Sequence, residues 1–389
     1  MMFHSRDIAR PPFRQQQLQA EGVLFHKKRS TILYLSILSS LLLSVCFFAF
    51  SPQAYAARPP AHARHHARAP FTNPILPVPD PFVTRYNGTY YVLGTTGNNV
   101  TIWSSPYLES VSQKPTVVWT PQTGQPAYQI WSPSLFLLNY HGAPHWFVYY
   151  TAASTNDNAN HRIYVLMSNG RDPLGPYTFQ GQLAGSDNTT TIDPSIILIH
   201  SQLYILDVEE PGVQHVGEPG ANVTYIAPLS DPLTQSGPSQ SLIYPDQSWE
   251  RGGGSGQSTY PVSEGPEALY HNGKTFIVYS GSDTGDYTYC LGLLTYNGGD
   301  PLDFHSWSKS GPVFQYSAAN GVYGPGRASF TTSPDGTQSW MVYHAKTSSA
   351  YIYSGRTTRA QQFSWNQDGT PNFGVPVSTS TPITPPSGE

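Results

Sequence analysis

Three acidic residues stand at similar places in the sequence, each just before a proline. Asp80 and Asp193 directly precede a proline, and Glu264 is followed by glycine and then proline. After each acid come an apolar run, a short turn and a second run rich in aromatic or aliphatic residues. Three carboxyl groups in one pocket would raise the pKa of at least one of them by repulsion and burial. A protonated acid beside an ionised carboxylate is the arrangement that general acid–base catalysis requires.

The acids belong to a pattern that occurs five times after residue 70. Each occurrence starts at a proline, continues to a turn and then to an aromatic-rich segment typical of a β-strand. The spacing of about 50–70 residues is the length of a four-stranded sheet with its loops. The five starts are Asp80-Pro81, Trp131-Ser132-Pro133, Asp193-Pro194, Glu264-Gly265-Pro266 and Gly324-Pro325-Gly326.

This recurrence predicts an all-β protein, a five-bladed β-propeller spanning residues 71–389. A charged fraction of 11%, with 34 Gly and 36 Pro, also favours a turn-rich β fold. A β-sandwich is the alternative, because it too has short strands at regular spacing. In a propeller the first strand of each blade lines the central channel, so Asp80, Asp193 and Glu264 are expected to occupy equivalent places and to converge there.

The first 56 residues have the features of a secretory signal. Lys27, Lys28 and Arg29 precede an apolar run over 32–50, and Ala54-Tyr55-Ala56 provides small residues for cleavage. We therefore expect a secreted protein. An uncleaved membrane anchor at the outer face is the alternative. Residues 57–70 are predicted to be a flexible linker.

Charge and cysteine content exclude other classes of protein. Residues 1–56 hold six of the 20 basic and two of the 24 acidic residues, so the remaining chain has 14 against 22 and a net charge of −8. A nucleic-acid-binding surface would be basic, so no nucleic-acid partner is expected. Only Cys290 remains after cleavage, which leaves no intrachain disulfide.

Cleavage of a glycosidic bond is one reaction that needs a pair of carboxyl groups with different protonation states. Trp103 and Trp131 are candidate flat surfaces for sugar rings, with core packing as the alternative for each. Arg359 is a candidate contact for a sugar hydroxyl, or else part of a surface ion pair. Glu267 competes with Glu264, but side chains alternate along a strand, so Glu267 should face away unless a β-bulge intervenes.

These motifs together resemble the family 43 glycoside hydrolases over nearly all of 71–389. The resemblance implies a five-bladed propeller and an inverting mechanism. It also implies that Asp80 is the general base that activates water, that Glu264 is the general acid, and that Asp193 tunes the pKa of that acid and orients it. The matching segments are Asp80-Pro81-Phe82, Trp131-Ser132-Pro133, Ile192-Asp193-Pro194-Ser195, Glu264-Gly265-Pro266 and Tyr323-Gly324-Pro325-Gly326.

Three further segments are similar to the extracellular α-L-arabinofuranosidases of that family: 289–295, 359–361 and 365–371. This similarity implies that terminal L-arabinofuranose is released from arabinan or arabinose-decorated xylan. The expected partner is thus a plant cell-wall polysaccharide or oligosaccharide, with no stable protein partner. β-Xylosidase or endo-arabinanase activity is the alternative within the family, and a propeller that binds glycans without cutting them is the alternative of another class.

One position departs from the family pattern. Family members usually carry His after Gly-Pro-Gly, where it helps to hold a metal ion in the channel, whereas this sequence has Arg327. A guanidinium there could pair with a channel carboxylate in place of the cation, or it could lie at the surface. A structural calcium ion is therefore in doubt, and we predict no metal and no other cofactor.

Overall fold

The computed structural model describes residues 68–186, 189–209 and 220–389. The predicted signal segment 1–56 and most of the predicted linker lie outside these residues. The described part folds into five antiparallel sheets, which confirms the predicted five-bladed β-propeller. Within it no helix is long and apolar enough to span a bilayer.

Each sheet is one blade, and its strands follow the chain from the inner to the outer edge except at the outer edge of blade III. There both β12 and β13 pair with β11. The strands of blades I and II are β1 (Phe82–Tyr86), β2 (Thr89–Leu93), β3 (Val100–Ser105), β4 (Pro115–Trp119), β5 (Tyr128–Tyr140), β6 (Ala143–Ala153), β7 (His161–Ser168) and β8 (Tyr177–Gln182). Those of blade III are β9 (Thr191–Ile199), β10 (Gln202–Glu209), β11 (Val223–Asp231), β12 (Thr234–Gln235) and β13 (Gln240–Ile243).

Blades IV and V complete the ring. Their strands are β14 (Ser263–His271), β15 (Lys274–Gly281), β16 (Cys290–Tyr296), β17 (Trp307–Phe314), β18 (Tyr323–Thr332), β19 (Ser339–Lys346), β20 (Thr357–Trp365) and β21 (Pro371–Asn372). Helical structure in the described ranges is limited to short 3-10 turns at Leu108–Gln113, Asn158–Asn160, Ser248–Arg251 and Phe304–Ser306. The inner strands contact one another in the order β1, β5, β9, β14, β18 and back to β1.

Tight turns join the first and second strands of four blades. Both central residues of each turn have positive φ, for example 47° at Asn87 and 80° at Gly88. Such type I′ turns match the twist of the flanking strands and favour Asn-Gly. The predicted turns at 87–88, 141–142, 200–201 and 272–273 all take this form.

The hydrophobic core is divided among the five interfaces between neighbouring blades. For example, Leu93 and Ile102 of blade I pack with Leu135 and Val148 of blade II. Equivalent clusters fill the interfaces II–III, III–IV, IV–V and V–I. Each blade is therefore held by apolar burial on both faces, without a disulfide, and Cys290 is a buried free thiol.

The segment before β1 closes the ring against blade V. Backbone hydrogen bonds join Phe71 to Ile383 and join Ile75 and Leu76 to Thr358. The first and last blades are thereby tied together by main-chain groups, so the inner strands hold a fixed geometry around the channel. Arg68, in the last residues of the predicted linker, makes an ion pair with Glu109.

Candidate active site

The residue before the repeated proline has a left-handed backbone in every blade. The φ angles are 55° at Asp80, 47° at Ser132, 53° at Asp193, 58° at Gly265 and 57° at Gly324. In blades II to V the pairing of the first two strands gains one extra residue at this point. This is a β-bulge, which redirects side chains and needs no backbone N–H from the proline.

The bulge corrects the expected equivalence of the three acids. Asp80 and Asp193 occupy the left-handed position themselves, but in blade IV that position is Gly265. Glu264 lies one residue earlier. A Cβ at Gly265 would come within 2.6 Å of Arg327 Cδ, so the close approach of Arg327 requires glycine here. The longer Glu side chain thus enters the channel region from the preceding position.

The same bulge brings Glu267 to the interior as well. Glu264 pairs with Ser280 and Glu267 with Val278, so two residues of β14 between these pairs oppose one residue of β15. Both carboxyl groups are buried, and Glu267 Oε2 accepts a hydrogen bond of 2.9 Å from Ser195. Simple alternation along the strand would turn Glu267 outward, and the bulge reverses this orientation.

A cavity of about 700 Å³ opens above these strands. Asp80, Asp193 and Glu264 all line it, together with the half-buried ring of Trp131. Trp131 stacks on His161 with the ring centroids 4.1 Å apart and the planes 12° apart. Four of the predicted site residues, from four different blades and far apart in sequence, therefore share one pocket.

Two predicted contacts are corrected, because the structure places them elsewhere. Trp103 is buried in the hydrophobic cluster between blades V and I. Arg359 lies in β20 opposite Tyr343 and is fully buried, so it is neither a surface residue nor part of the pocket wall. The type of a residue, aromatic or basic, does not by itself tell which face of a blade the side chain occupies.

Asp80 is surrounded by nitrogen atoms from blade V. Arg356 Nη1 donates to Asp80 Oδ1 at 3.0 Å, and His344 Nδ1 lies 3.2 Å from the same oxygen. Burial by itself raises the pKa of Asp80, but Arg356 and His344 outweigh it and hold the pKa well below its usual range. Burial lowers the pKa of His344 to about 4, so this imidazole is neutral at pH 7. Asp80 is therefore ionised at neutral pH.

Glu264 has the opposite environment. Burial, and after it the nearby charge of Asp193, raises its pKa to about 8. Tyr289 donates to Oε1 at 2.8 Å and Asn222 donates to Oε2 at 3.2 Å. These two neutral donors hold the carboxyl group in place without supplying a positive charge. Glu264 is therefore protonated at neutral pH and able to give a proton to a bound molecule.

Asp193 connects the acid to the centre of the channel. Its Oδ2 accepts a hydrogen bond of 2.9 Å from the backbone N–H of Gly265, next to Glu264. Its Oδ1 lies 3.7 Å from Nε of Arg327. Asp193 thus fixes the start of β14 and places a carboxylate beside the protonated glutamic acid.

Arg327 is a buried cation at the channel position where the resemblance implies a metal-linked His. A second bulge of β18 gives it a φ of 48°, and its backbone N–H donates to Ser280 Oγ at 2.8 Å. Burial lowers its pKa, but Asp193, Asp80 and Glu267 outweigh burial and raise it. The alternative of a surface Arg327 is therefore wrong.

A channel metal ion does not fit these residues. The guanidinium of Arg327 already balances the carboxylates, and a second cation beside it would be repelled. Across the described ranges no three His, Cys, Asp or Glu side chains form a group that could hold a metal ion.

Four residues that contact the carboxyl groups of Asp80 and Glu264 were not predicted from the sequence. None follows the repeated proline, and each comes from a strand or loop other than the one that carries its acid. Tyr289 is partly recoverable, because it stands in a segment noted for its resemblance to arabinofuranosidases. The other three carried no signal in the sequence pattern. The four are Asn222, Tyr289, His344 and Arg356.

The chain is similar in sequence and in fold to known glycoside hydrolases. The profile of glycosyl hydrolases family 43 matches residues 71–371. An extracellular exo-alpha-(1->5)-L-arabinofuranosidase of Streptomyces avermitilis is 34% identical, over 83% of this chain and 68% of that protein. Alpha-L-arabinofuranosidase 43 of Humicola insolens is 32% identical, over 79% of this chain and 64% of that protein. The crystal structure of an alpha-L-arabinofuranosidase from Lactobacillus brevis superposes with a TM-score of 0.71 at 30% identity, covering 80% of this chain and 98% of that one.

Proposed function

Because the chain belongs to glycosyl hydrolases family 43, we propose that it releases terminal α-L-arabinofuranose from arabinan or arabinose-decorated xylan, with inversion at the anomeric carbon. The observation that carries the proposal is the opposite protonation of two carboxyl groups lining one pocket. Asp80 is held ionised, and Glu264 is held protonated with a pKa of about 8. The relatives named as arabinofuranosidases support the choice of sugar.

In the proposed reaction Asp80 acts as the general base. It takes a proton from a water molecule while that water attacks the anomeric carbon. Glu264 gives its proton to the glycosidic oxygen as the bond to the leaving sugar breaks. Asp80 then carries a proton and Glu264 is ionised, and exchange with solvent restores both groups before the next turnover.

Other pocket residues set the protonation of Asp80 and Glu264 and offer a surface for the sugar. Arg356 keeps Asp80 ionised, and Asp193 raises the proton affinity of Glu264 through its negative charge. Trp131, supported from behind by His161, offers an aromatic face to a sugar ring. Backbone and side-chain positions are set before substrate arrives, so little reorganisation is needed in the transition state.

We also propose that the protein acts outside the cell. The sequence of residues 1–56 predicts a signal peptide, and the Streptomyces relative is named as extracellular. The substrate would then be a polysaccharide or oligosaccharide of the plant cell wall. Secretion is checked by N-terminal sequencing of the protein recovered from culture medium, which should begin near residue 57.

The test is hydrolysis of an aryl α-L-arabinofuranoside by wild type, Asp80→Asn and Glu264→Gln. Each variant should lose about 10²–10⁴-fold in kcat, the usual contribution of one acid or base. Glu264→Gln should lose less activity on a substrate with a nitrophenolate leaving group than on one with a sugar leaving group, because nitrophenolate leaves without needing a proton. Undiminished turnover in both variants would reject the assignment.

Product analysis on linear arabinan, branched arabinan and xylo-oligosaccharides separates the related activities. Monomeric arabinose is expected. Short arabinose oligomers would instead show an endo-arabinanase, and xylose would show a β-xylosidase. Binding to arabinan without any product after long incubation would show a glycan-binding propeller that does not cut.

A further inference from the structure

Lys346, at the end of β19, is a buried lysine that the reaction above does not use. Its side chain is among the largest that are fully buried in the described structure, with 1% exposure. The Nζ atom donates to three backbone carbonyl oxygens, those of Gly285 at 2.6 Å, Ile352 at 3.3 Å and Ala350 at 3.5 Å. Burial lowers its pKa to about 8, so at pH 7 the group is still largely an ammonium ion with three N–H donors.

The three carbonyl groups belong to two different loops. Gly285 lies in the β15–β16 loop, residues 282–289, and Ala350 and Ile352 lie in the β19–β20 loop, residues 347–356. Further contacts join the same loops: Ile352 N–H donates to Gly285 O at 3.0 Å, and Tyr351 OH donates to Asp283 Oδ2 at 2.8 Å. The ammonium group is the innermost of these contacts, because the two loops close over it.

Both loops carry residues of the pocket wall. Asp283 and Thr284 come from the β15–β16 loop, and Tyr353 and Arg356 come from the β19–β20 loop. Arg356 Nη1 contacts Thr284 Oγ1 at 3.3 Å as well as Asp80, so the position of one loop affects the other and reaches the base. Among the described residues of blade V, Arg356 of the β19–β20 loop is the one full positive charge in direct contact with Asp80.

We propose that Lys346 is a positioning residue for hydrolysis: its ammonium group locks the two loops together and so fixes both the sugar-contacting wall and the charge partner of Asp80. Carbonyl oxygens that face one another repel, and the ammonium ion between them removes that repulsion. Without it, Asp283 and Tyr353 lose their fixed place on the wall, and Arg356 loses its fixed distance to Asp80. The proposal rests on the proposed function, because it assigns roles within that pocket.

The first test replaces Lys346 with methionine, which keeps most of the volume but has no charge and no donor. Lys346→Met should lose about 100-fold in kcat/KM, the cost expected of a misplacement of about 1 Å. KM should rise because the wall is loosened, and kcat should fall because Arg356 is displaced from Asp80. Wild-type kcat and KM in a folded Lys346→Met protein would overturn the proposal.

Lys309 provides a matched control outside the pocket. Its Nζ holds the β13–β14 connection to β17, through Tyr244 O, Asp246 at 2.8 Å and Glu250 at 3.1 Å, and none of these residues lines the cavity. Lys309→Met should lower Tm but leave kcat and KM unchanged. An equal loss of kcat/KM in both variants would show that any broken loop contact has this effect, which would overturn the specific role of Lys346.

Two further measurements keep the proposal testable if Lys346→Met does not fold. Tyr351→Phe removes one contact between the same loops near the surface, and should raise KM about 3–10-fold while kcat changes less. In Lys346→Ala, added propylammonium should restore activity and tetramethylammonium, which has no N–H, should not. An unchanged KM in Tyr351→Phe, or an equal response to the two cations, would overturn the proposal. Failure of the proposed function is distinguishable, because wild type itself would then be inactive on arabinofuranosides.

Discussion

The two sides of the pocket treat the same chemical group in opposite ways. On the base side, Asp80 contacts the guanidinium of Arg356 and the imidazole of His344. On the acid side, Glu264 accepts hydrogen bonds from the neutral donors Tyr289 and Asn222 and lies near the carboxylate of Asp193. Burial raises the pKa of both acids, so burial does not distinguish them. The presence of a direct cation on one side and of an anion on the other decides which acid is charged.

The two sides are nevertheless in contact. The ring of Tyr289, which donates to Glu264, stacks on the ring of His344, which contacts Asp80, with centroids 5.6 Å apart. Arg327 lies below both and has carboxylates of both sides among its partners. Arg356 contacts Asp80 and Arg327 lies beside Asp193, whereas burial raises the pKa of Glu264 and of Glu267 to about 8.

Removing the cation of the base side should have the largest effect. Arg356→Met takes away the charge that holds Asp80 ionised, so the pKa of Asp80 should return toward its usual range. We expect kcat to fall about 100-fold, the effect of losing one preorganised electrostatic group. The acidic limb of the pH profile of kcat/KM should move to higher pH, and a profile identical in shape to that of wild type would contradict the comparison.

The wild-type pH profile tests both sides at once. Glu264 must be protonated, and its pKa is about 8, so kcat/KM should fall about tenfold per unit above pH 8. Asp80 must be ionised, and its pKa is well below its usual range, so no loss from this group is expected above about pH 4. Steady-state rates on an aryl arabinofuranoside give the profile. An alkaline limb near pH 5 would show that the pKa of Glu264 is not raised, which would contradict the difference between the two sides.

Loss of one hydrogen bond to Glu264 should have a smaller effect on activity. Tyr289→Phe removes the hydrogen bond that favours the ionised form of Glu264, so the pKa of Glu264 should rise and the alkaline limb should move upward. We expect kcat/KM at pH 6 to fall about 3–10-fold, because the carboxyl group loses one of its two fixed donors. Asn222→Ala is the companion variant and should shift the limb in the same direction. A downward shift in both would contradict the proposed cause.

The variant Glu267→Gln tests whether a second buried glutamic acid, Glu267, is also neutral. Burial raises its pKa to about 8, against the opposing effect of Arg327. A raised folded-state pKa contributes stability that is complete below the unfolded value of about 4.5 and is lost as pH rises through about 8. Glu267→Gln cannot ionise, so its Tm relative to wild type should increase by a few degrees between pH 5 and 8. A constant difference in Tm across this range would show that Glu267 is already ionised.

Chelation should have the smallest effect. Arg327 supplies the positive charge at the centre of the channel, so activity after dialysis against EDTA should stay within about twofold of the untreated enzyme. Arg327→Met should then lose stability and activity, and added calcium should not restore them. Recovery of EDTA-treated wild type by calcium would show that a metal ion fits beside Arg327 after all.

The propeller was predictable from a local pattern. Each blade begins with proline after a residue of left-handed backbone, and four of the five turns are two-residue type I′ turns, three of them with Gly at the second position. Such features depend on residues close together in the chain. Because the pattern repeats, the convergence of Asp80, Asp193 and Glu264 could also be inferred before the structure was known.

The details within the pocket were less predictable. The inward position of Glu267 depends on a bulge, which the alternation of strand residues does not reveal. Trp103, in β3, lies between blades V and I, whereas Trp131, in the inner strand β5, lines the pocket. Which face of a blade a side chain occupies depends on strand register, and the register shifts at the starts of the inner strands, where the pocket residues lie.

The sequence by itself determined the number of blades, the identity of the three acids and the replacement of His by Arg327. Only the tertiary structure decided which acid is charged. Arg356 is 276 residues from Asp80, and Tyr289 is 25 residues from Glu264. Electrostatic effects on a buried carboxyl group depend on distance in space and on desolvation, and both are set when the ring of blades closes.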